Sequence, residues 1–296
     1  MLSPVELRKR SLLLHAVRSF FSAQGYLEAD TPIRLPTLIP EAEIQPLTSE
    51  SRFLQTSPEL CMKRLLANGC TQLFQICRCF RKGERGRLHQ EEFSMLEWYH
   101  VGWSYFELMQ ECEQFIRQLA QSCVAQGWLL PPAWLQQPEP WPRLTVAEAF
   151  RRFAGVPAAE AVASGSFDLL LVEKVEPELA KMGAVFLCDY PLALASLARP
   201  KHDDPSAAER VELYINGIEL ANGFSELTDP KLQRQRFEAE LLKADLDRSR
   251  MPEKFLADLE RLPPCAGIAL GLDRLFMLLL GRSRLADVLP LADEDL

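Results

Sequence analysis

Glu209-Arg210-Val211-Glu212-Leu213-Tyr214-Ile215-Asn216-Gly217-Ile218-Glu219-Leu220 is the stretch that decides the architecture. Asn216-Gly217 lies between two runs of β-forming residues, and this dipeptide readily supplies the two positive-φ positions of a tight hairpin turn. A two-residue turn pairs Ile215 with Ile218, Tyr214 with Glu219 and Leu213 with Leu220. Glu212, two residues from Tyr214, then shares a sheet face with Glu219 as its diagonal neighbour, ~7–8 Å away. Two carboxylates so placed repel unless a cation lies between them. Mg²⁺ shared with substrate phosphates fits, because it favours one or two protein carboxylates plus phosphate oxygens. The same pattern also suits a solvated sheet face carrying two ordinary glutamates. Just downstream, the Asn222-Gly223 step predicts a bulge that re-aims its neighbours.

Outward from this hairpin, strands and helices alternate without repeats. Leu73, Phe74, Ile76, Cys77 and Phe80 mark a mostly buried strand over residues 72–81. Residues 82–90 are a charged loop, and 92–99 form the returning strand. Ala184 to Tyr190 is a buried strand, and Ala266 to Gly271 runs straight into a helix over 272–280. Amphipathic helices are expected over 4–24, from Ser57-Pro58-Glu59 to Asn68-Gly69, and over 104–126, 144–154, 168–182, 229–248 and 252–262. Pro131 to Pro142, with five prolines in twelve residues, is a connector inside one domain. Hairpins outnumber β-α-β units, so the fold class is α+β, a mainly antiparallel sheet with helices packed on it.

Composition narrows the function. The chain has 296 residues, 48% hydrophobic and 25% charged, which excludes disorder. No apolar run approaches the ~20 residues of a membrane helix, and the N-terminus has no secretion signal. Eight cysteines in so core-rich a chain read as reduced thiols of a cytoplasmic protein. The net charge of −8 and pI near 5.2 argue against a nucleic-acid track. The basic residues from Arg78 to Arg87 suit one small phosphate ligand instead. Glycine-rich phosphate loops, Cys-x-x-Cys pairs and zinc-ligand histidine spacings are absent.

Four segments, in order, are similar to the signatures of class II lysyl-tRNA synthetases. Gly25 to Pro32 resembles the first signature, which lies at the dimer interface in that family. Phe80-Arg81 through His89 to Glu92-Phe93-Ser94-Met95-Leu96-Glu97-Trp98-Tyr99 resembles the second. Gly217 to Leu227 resembles the substrate-binding segment, and Gly267-Ile268-Ala269-Leu270-Gly271-Leu272-Asp273-Arg274-Leu275 resembles the third.

The resemblance implies a single class II synthetase-like catalytic domain over residues 1–296, and a reaction in which a carboxylate attacks the α-phosphorus of ATP. Arg81, Glu219 and Arg274 are then the catalytic residues: Arg81 on the α-phosphate, Arg274 on the γ-phosphate and adenine. Gly83, Glu84, His89, Gln90, Phe93, Leu220 and Gly271 complete the ATP site, with Phe93 stacking on adenine and Gly271 leaving room for it. Glu212 and Glu219 hold Mg²⁺. Ser57, Glu59, Tyr99, Asn222, Phe224, Glu226 and Ala269 bind the amino acid, the acids meeting the amino groups of a lysine-like substrate. Two places depart from the usual second signature: Arg-Asn-Glu becomes Arg81-Lys82-Gly83-Glu84, displacing the acidic residue by one, and His-Asn-Pro-Glu becomes His89-Gln90-Glu91-Glu92.

No barrel that reads an anticodon precedes the first signature, so the chain is similar to a freestanding paralogue that attaches (R)-β-lysine to a lysine of elongation factor P. Ala269, where the synthetases carry glycine, points the same way: its methyl group crowds an α-amino group and tolerates a β-amino group. The implied partners are elongation factor P, (R)-β-lysine and ATP, with no transfer RNA and no membrane, in a homodimer. Two other readings stand beside this one. The first is a truncated paralogue that activates α-lysine or another amino acid. The second is a non-catalytic binding module.

Overall fold

A computed structural model describes residues 1–296. From the N-terminus the elements are α1 (Pro4–Ala23), β1 (Leu27–Glu28), β2 (Arg34–Leu35), β3 (Thr48–Ser49), β4 (Arg52–Leu54), α2 (Glu59–Ala67), β5 (Gln72–Phe80) and β6 (Glu92–Val101). Then come α3 (Tyr105–Ala125), β7 (Arg143–Thr145), α4 (Val146–Ala149), α5 (Ala158–Ala163), α6 (Phe167–Leu170), α7 (Glu176–Met182), β8 (Ala184–Pro191), β9 (Ala207–Ile215) and β10 (Ile218–Ser225). The chain closes with α8 (Pro230–Lys243), α9 (Glu253–Leu259), β11 (Cys265–Gly271) and α10 (Leu272–Leu279). Two compact units result, one of residues 1–102, 228–265 and 269–296, the other of residues 103–227 and 266–268.

In the first unit the strands run β1-β5-β6-β11, with β5 and β6 a long antiparallel hairpin and β1 parallel to β5. Alternation splits the hairpin into two faces. The even-numbered face packs on α1, where Phe21 stacks on Phe74 with ring centroids 4.9 Å apart and meets Trp98 at 5.1 Å. Helix α1 starts at a reciprocal cap between Ser3 and Glu6, with Pro4 in its first turn. Below it a buried network pins three elements. Arg10 reaches Asp273 at 2.7 Å and the Val288 carbonyl at 3.0 Å, and Asp273 accepts the Ser94 N–H at 2.6 Å. A second, small sheet of order β2-β4-β3 had no readable pattern, because its strands are only two or three residues long.

In the second unit the order is β11-β10-β9-β8-β7. The hairpin turn forms at Asn216 and Gly217, with φ of 52° and 75°. Ile215 pairs with Ile218 and Tyr214 with Glu219, as the turn demands. The bulge, however, lies between Glu219 and Ala221, so Leu213 faces Ala221 rather than Leu220, and Glu212 faces Asn222. Gly223 is needed instead for close approach: a Cβ there would sit 2.8 Å from the Ile268 Cβ. On α3, Arg117 bonds Glu113 and the carbonyls of Leu135 and Gln137, which fastens the proline-rich connector. The expected helices over 144–154 and 168–182 are each interrupted by a wider five-residue turn, at Phe150–Ala154 and Leu171–Val175. α8 stops at Lys243 instead of 248, since Asp245 adopts φ 52° and Asp247 starts a separate turn.

The antiparallel, helix-flanked sheet agrees with the fold class read from the sequence; the parallel pairs are β1 with β5 and β7 with β8. All eight cysteines are thiols.

Candidate active site

The odd-numbered face of the first unit's hairpin gathers several of the candidate site residues. Its register sets Gln75 opposite Glu97, Cys77 opposite Met95 and Cys79 opposite Phe93. Glu97 is 1% exposed, the one charged residue in the buried stretch Ser94–Tyr99 of β6. It accepts hydrogen bonds from Ser57 Oγ at 2.8 Å and from the Tyr99 hydroxyl at 2.5 Å. Burial pushes its carboxyl up to about 8, and the nearby charge of Glu59 adds to the rise. Glu59, in the first turn of α2, is ion-paired at 2.5 Å with Lys63, four residues on and 1% exposed. Ser57 also accepts the Glu59 N–H at 3.0 Å, but the helix starts one residue later than expected, with Pro58 as its N-cap and Glu59 as its first residue. Four side chains thus surround one buried carboxylate. An uncompensated charge in such a place is costly, and a substrate ammonium is the partner that would hold Glu97 ionised.

Further along the same face lies a candidate anion site. Arg81 stacks over Phe93, 5.2 Å from guanidinium carbon to ring centroid, and reaches Glu84 only at 3.8 Å. Its Nε is buried and donates to no protein atom, the condition of a fork that awaits an external acceptor. The loop between the strands is folded on itself: Glu91 accepts the Gly83 N–H at 2.6 Å and the Arg85 guanidinium at 2.5 Å. Gly86 and His89 form a small bridge. Arg274, in the first turn of α10, donates to the Leu88 carbonyl at 3.2 Å and to His89 Nε2 at 2.7 Å. Partial burial and the Arg274 charge hold His89 below its usual range, so it is a neutral acceptor. Ala269 and Gly271 lie on β11 just before this helix. The nearest atoms to a Cβ on Gly271 would be those of the Arg274 side chain, at 3.6 Å, an ordinary contact, so no clash demands glycine there.

The second unit holds the remaining acids. Glu212, 5% exposed, accepts from the Tyr190 hydroxyl at 2.5 Å, the Tyr214 hydroxyl at 2.8 Å and Arg210 Nη2 at 2.7 Å, with Asn222 Nδ2 at 3.5 Å. Arg210 is itself held by the Leu194 carbonyl at 2.8 Å and lies over the Tyr190 ring at 4.5 Å. Both tyrosines are pushed well above their usual range, first by burial and then by Glu212, with Glu219 contributing to each. Glu212 and Glu219 therefore share one neighbourhood, as the hairpin register requires. Glu226 is 3% exposed, and the side-chain oxygen of Asn222 is a buried acceptor with no partner.

For Mg²⁺ this donor set divides. Glu219 is partly accessible and suits a hard cation. Glu212 already has four donors on its two oxygens, so it meets an ion only by giving one up. Glu97, Lys63 and Arg210 escaped the sequence reading. The signals were present: a single charge within the buried stretch Ser94–Tyr99, a lysine four residues after an acid, and an arginine two residues before Glu212.

Comparison with known proteins agrees with this geometry. The family model of class II tRNA synthetases (D, K and N) matches residues 4–294. A protein of Pectobacterium carotovorum named elongation factor P–(R)-β-lysine ligase is 37% identical, over 99% of this chain and 96% of its own. Proteins of the same name from Salmonella typhi and Edwardsiella ictaluri are 38% and 37% identical, each over 96% of this chain and 93% of theirs. The chain belongs to the class II tRNA synthetase family of D, K and N type.

Proposed function

We propose that this class II synthetase relative is an ATP-dependent ligase that activates (R)-β-lysine as its adenylate and transfers it to a lysine side chain of elongation factor P. The observation that carries the reading is the acid pair of buried Glu97 and half-buried Glu59, held by Ser57, Tyr99 and Lys63. Such a pocket selects an amine, and the relatives named for this reaction match almost the whole chain.

In the first step a substrate carboxylate oxygen attacks the α-phosphorus of ATP, the bond to the β-phosphate oxygen breaks, and pyrophosphate leaves. In the second, the neutral amine of the acceptor lysine attacks the acyl carbon, an amide forms, and AMP leaves. This chain works mainly by orientation and charge neutralisation. Arg81 grips the α-phosphate through its free Nε and its planar fork. Phe93, already stacked on Arg81, offers its ring to the adenine. Arg274 and neutral His89 tie the loop at residues 82–90 to the start of α10, and Arg274 turns to the γ-phosphate. In the second unit, the Asn222 side-chain oxygen and Glu226 are buried polar groups suited to an amine. Mg²⁺, held by Glu219 and by Glu212 in exchange for one donor, would neutralise the phosphate charge. The catalytic domain spans residues 1–296.

The same reading makes the enzyme a cytoplasmic homodimer; no helix is long and apolar enough to cross a membrane. ATP–pyrophosphate exchange across a panel of amino acids tests the first step. Exchange that depends on (R)-β-lysine is expected. Exchange with a monoamino acid alone, or with none, would reject the assignment.

A further inference from the structure

We propose that Gln75 is a substrate-contacting residue whose side-chain carbonyl oxygen accepts a hydrogen bond from an ammonium group of the diamino acid. The inference rests on the function proposed above and adds a contact that the family signatures do not contain.

Gln75 is 2% exposed, and its Oε1 is fully withdrawn from solvent without a hydrogen-bond partner. Burying an amide oxygen unpaired costs roughly 1–3 kcal/mol, so such atoms call for a specific reason. Its place in the ladder supplies one. Gln75 is directly opposite Glu97, so the two side chains leave the sheet on the same face, with Cβ atoms ~4.5–5.5 Å apart.

The other polar groups there are already committed. Ser57 and Tyr99 donate to Glu97, and Lys63 is paired with Glu59. Cys79, on the same face of β5, is within electrostatic reach of Glu97. None of these groups donates to the Gln75 oxygen. An ammonium carries three N–H donors and no acceptor. The carboxylates of Glu97 and Glu59 can take two of them. Gln75 offers a third acceptor that bears no charge, so it adds a hydrogen bond without adding repulsion to an acid pair that is already crowded.

The test is Gln75→Met, which keeps the volume and removes both polar atoms. In ATP–pyrophosphate exchange its KM for (R)-β-lysine should rise roughly 10- to 100-fold, the value of one hydrogen bond to a charged group. Its KM for ATP should stay within about twofold, since no phosphate contact is lost. Two analogues locate the contact: 6-aminohexanoate, lacking the β-amine, and 3-aminohexanoate, lacking the terminal amine. The penalty should vanish with one of them. An unchanged KM for (R)-β-lysine, or an equal penalty with all three compounds, would overturn the proposal. If wild type activates no diamino acid, the functional reading falls and takes this proposal with it. An active wild type beside an unaffected variant overturns this proposal alone. Should the variant not fold, a wild-type structure with (R)-β-lysine decides. Gln75 Oε1 more than ~3.5 Å from every substrate nitrogen would overturn the contact.

Discussion

Tyr99 donates its hydroxyl hydrogen to Glu97 across 2.5 Å, two residues apart on one face of a buried strand. The bond favours the charged carboxylate, yet burial and the Glu59 charge win, and Glu97 rises to about 8. An acid whose folded pKa exceeds its unfolded value binds more protons in the folded state between the two, so its contribution to stability falls as pH rises through that window. Stability should therefore decline from about pH 4.5 to about pH 8 on account of Glu97, by up to ~1.4 kcal/mol per pH unit. Glu97→Gln should remove that slope and be relatively more stable at pH 8. Urea unfolding of both proteins across pH 5–9 checks this. Parallel curves would contradict it.

Glu219 is the accessible acid of the hairpin, and Glu212 is sheltered behind four donors. Glu219→Gln should reduce adenylation by roughly 10²–10³-fold, the scale of losing one preorganised charge contact, with thermal unfolding unchanged. An ATP and magnesium complex in which neither acid lies near the metal, directly or through water, would dismiss the metal assignment.

Ala269 lies on β11, two residues before Gly271. If its methyl selects against an α-amine, wild type should activate (R)-β-lysine faster than α-lysine. Ala269→Gly should move the preference toward α-lysine by ~10–200-fold, the range one methyl group can give. The rate with the β-isomer should drop somewhat, because the space opened is not filled. Equal use of both isomers before and after substitution would reject the pocket argument.

Leu7, Leu12, Leu27 and Ile33 are exposed on the first unit, and a groove of about 680 Å³ between α1 and β5 is lined by Leu7, Leu14 and Ile76. A homodimer burying upwards of ~2,000 Å² is expected. Sedimentation at micromolar concentration should show twice the 33.6 kDa chain mass; a stable monomer would count against it.

Both hairpins were legible because each has a local signal: Asn216-Gly217 for one, and matched apolar runs around a charged loop for the other. The bulge was misplaced at Asn222-Gly223. Glycine there answers a clash with Ile268, a residue distant in sequence that no local pattern reveals. Strands β2, β3, β4 and β7 are too short to show a period. Glu219 was singled out by the hairpin pairing and Arg81 and Glu59 by the signatures, whereas Lys63 and Gln75 were not singled out. Their significance lies in partners, one made and one missing, that exist only once β5, β6 and α2 are assembled.

The central claim is tested most directly by following labelled (R)-β-lysine with ATP in the presence of elongation factor P or of lysine-accepting transfer RNA. The label should become stably bound to a lysine of elongation factor P, with AMP and pyrophosphate released, while the transfer RNA stays uncharged. Efficient charging of transfer RNA, with elongation factor P unlabelled, would contradict the account and identify a minimal synthetase instead.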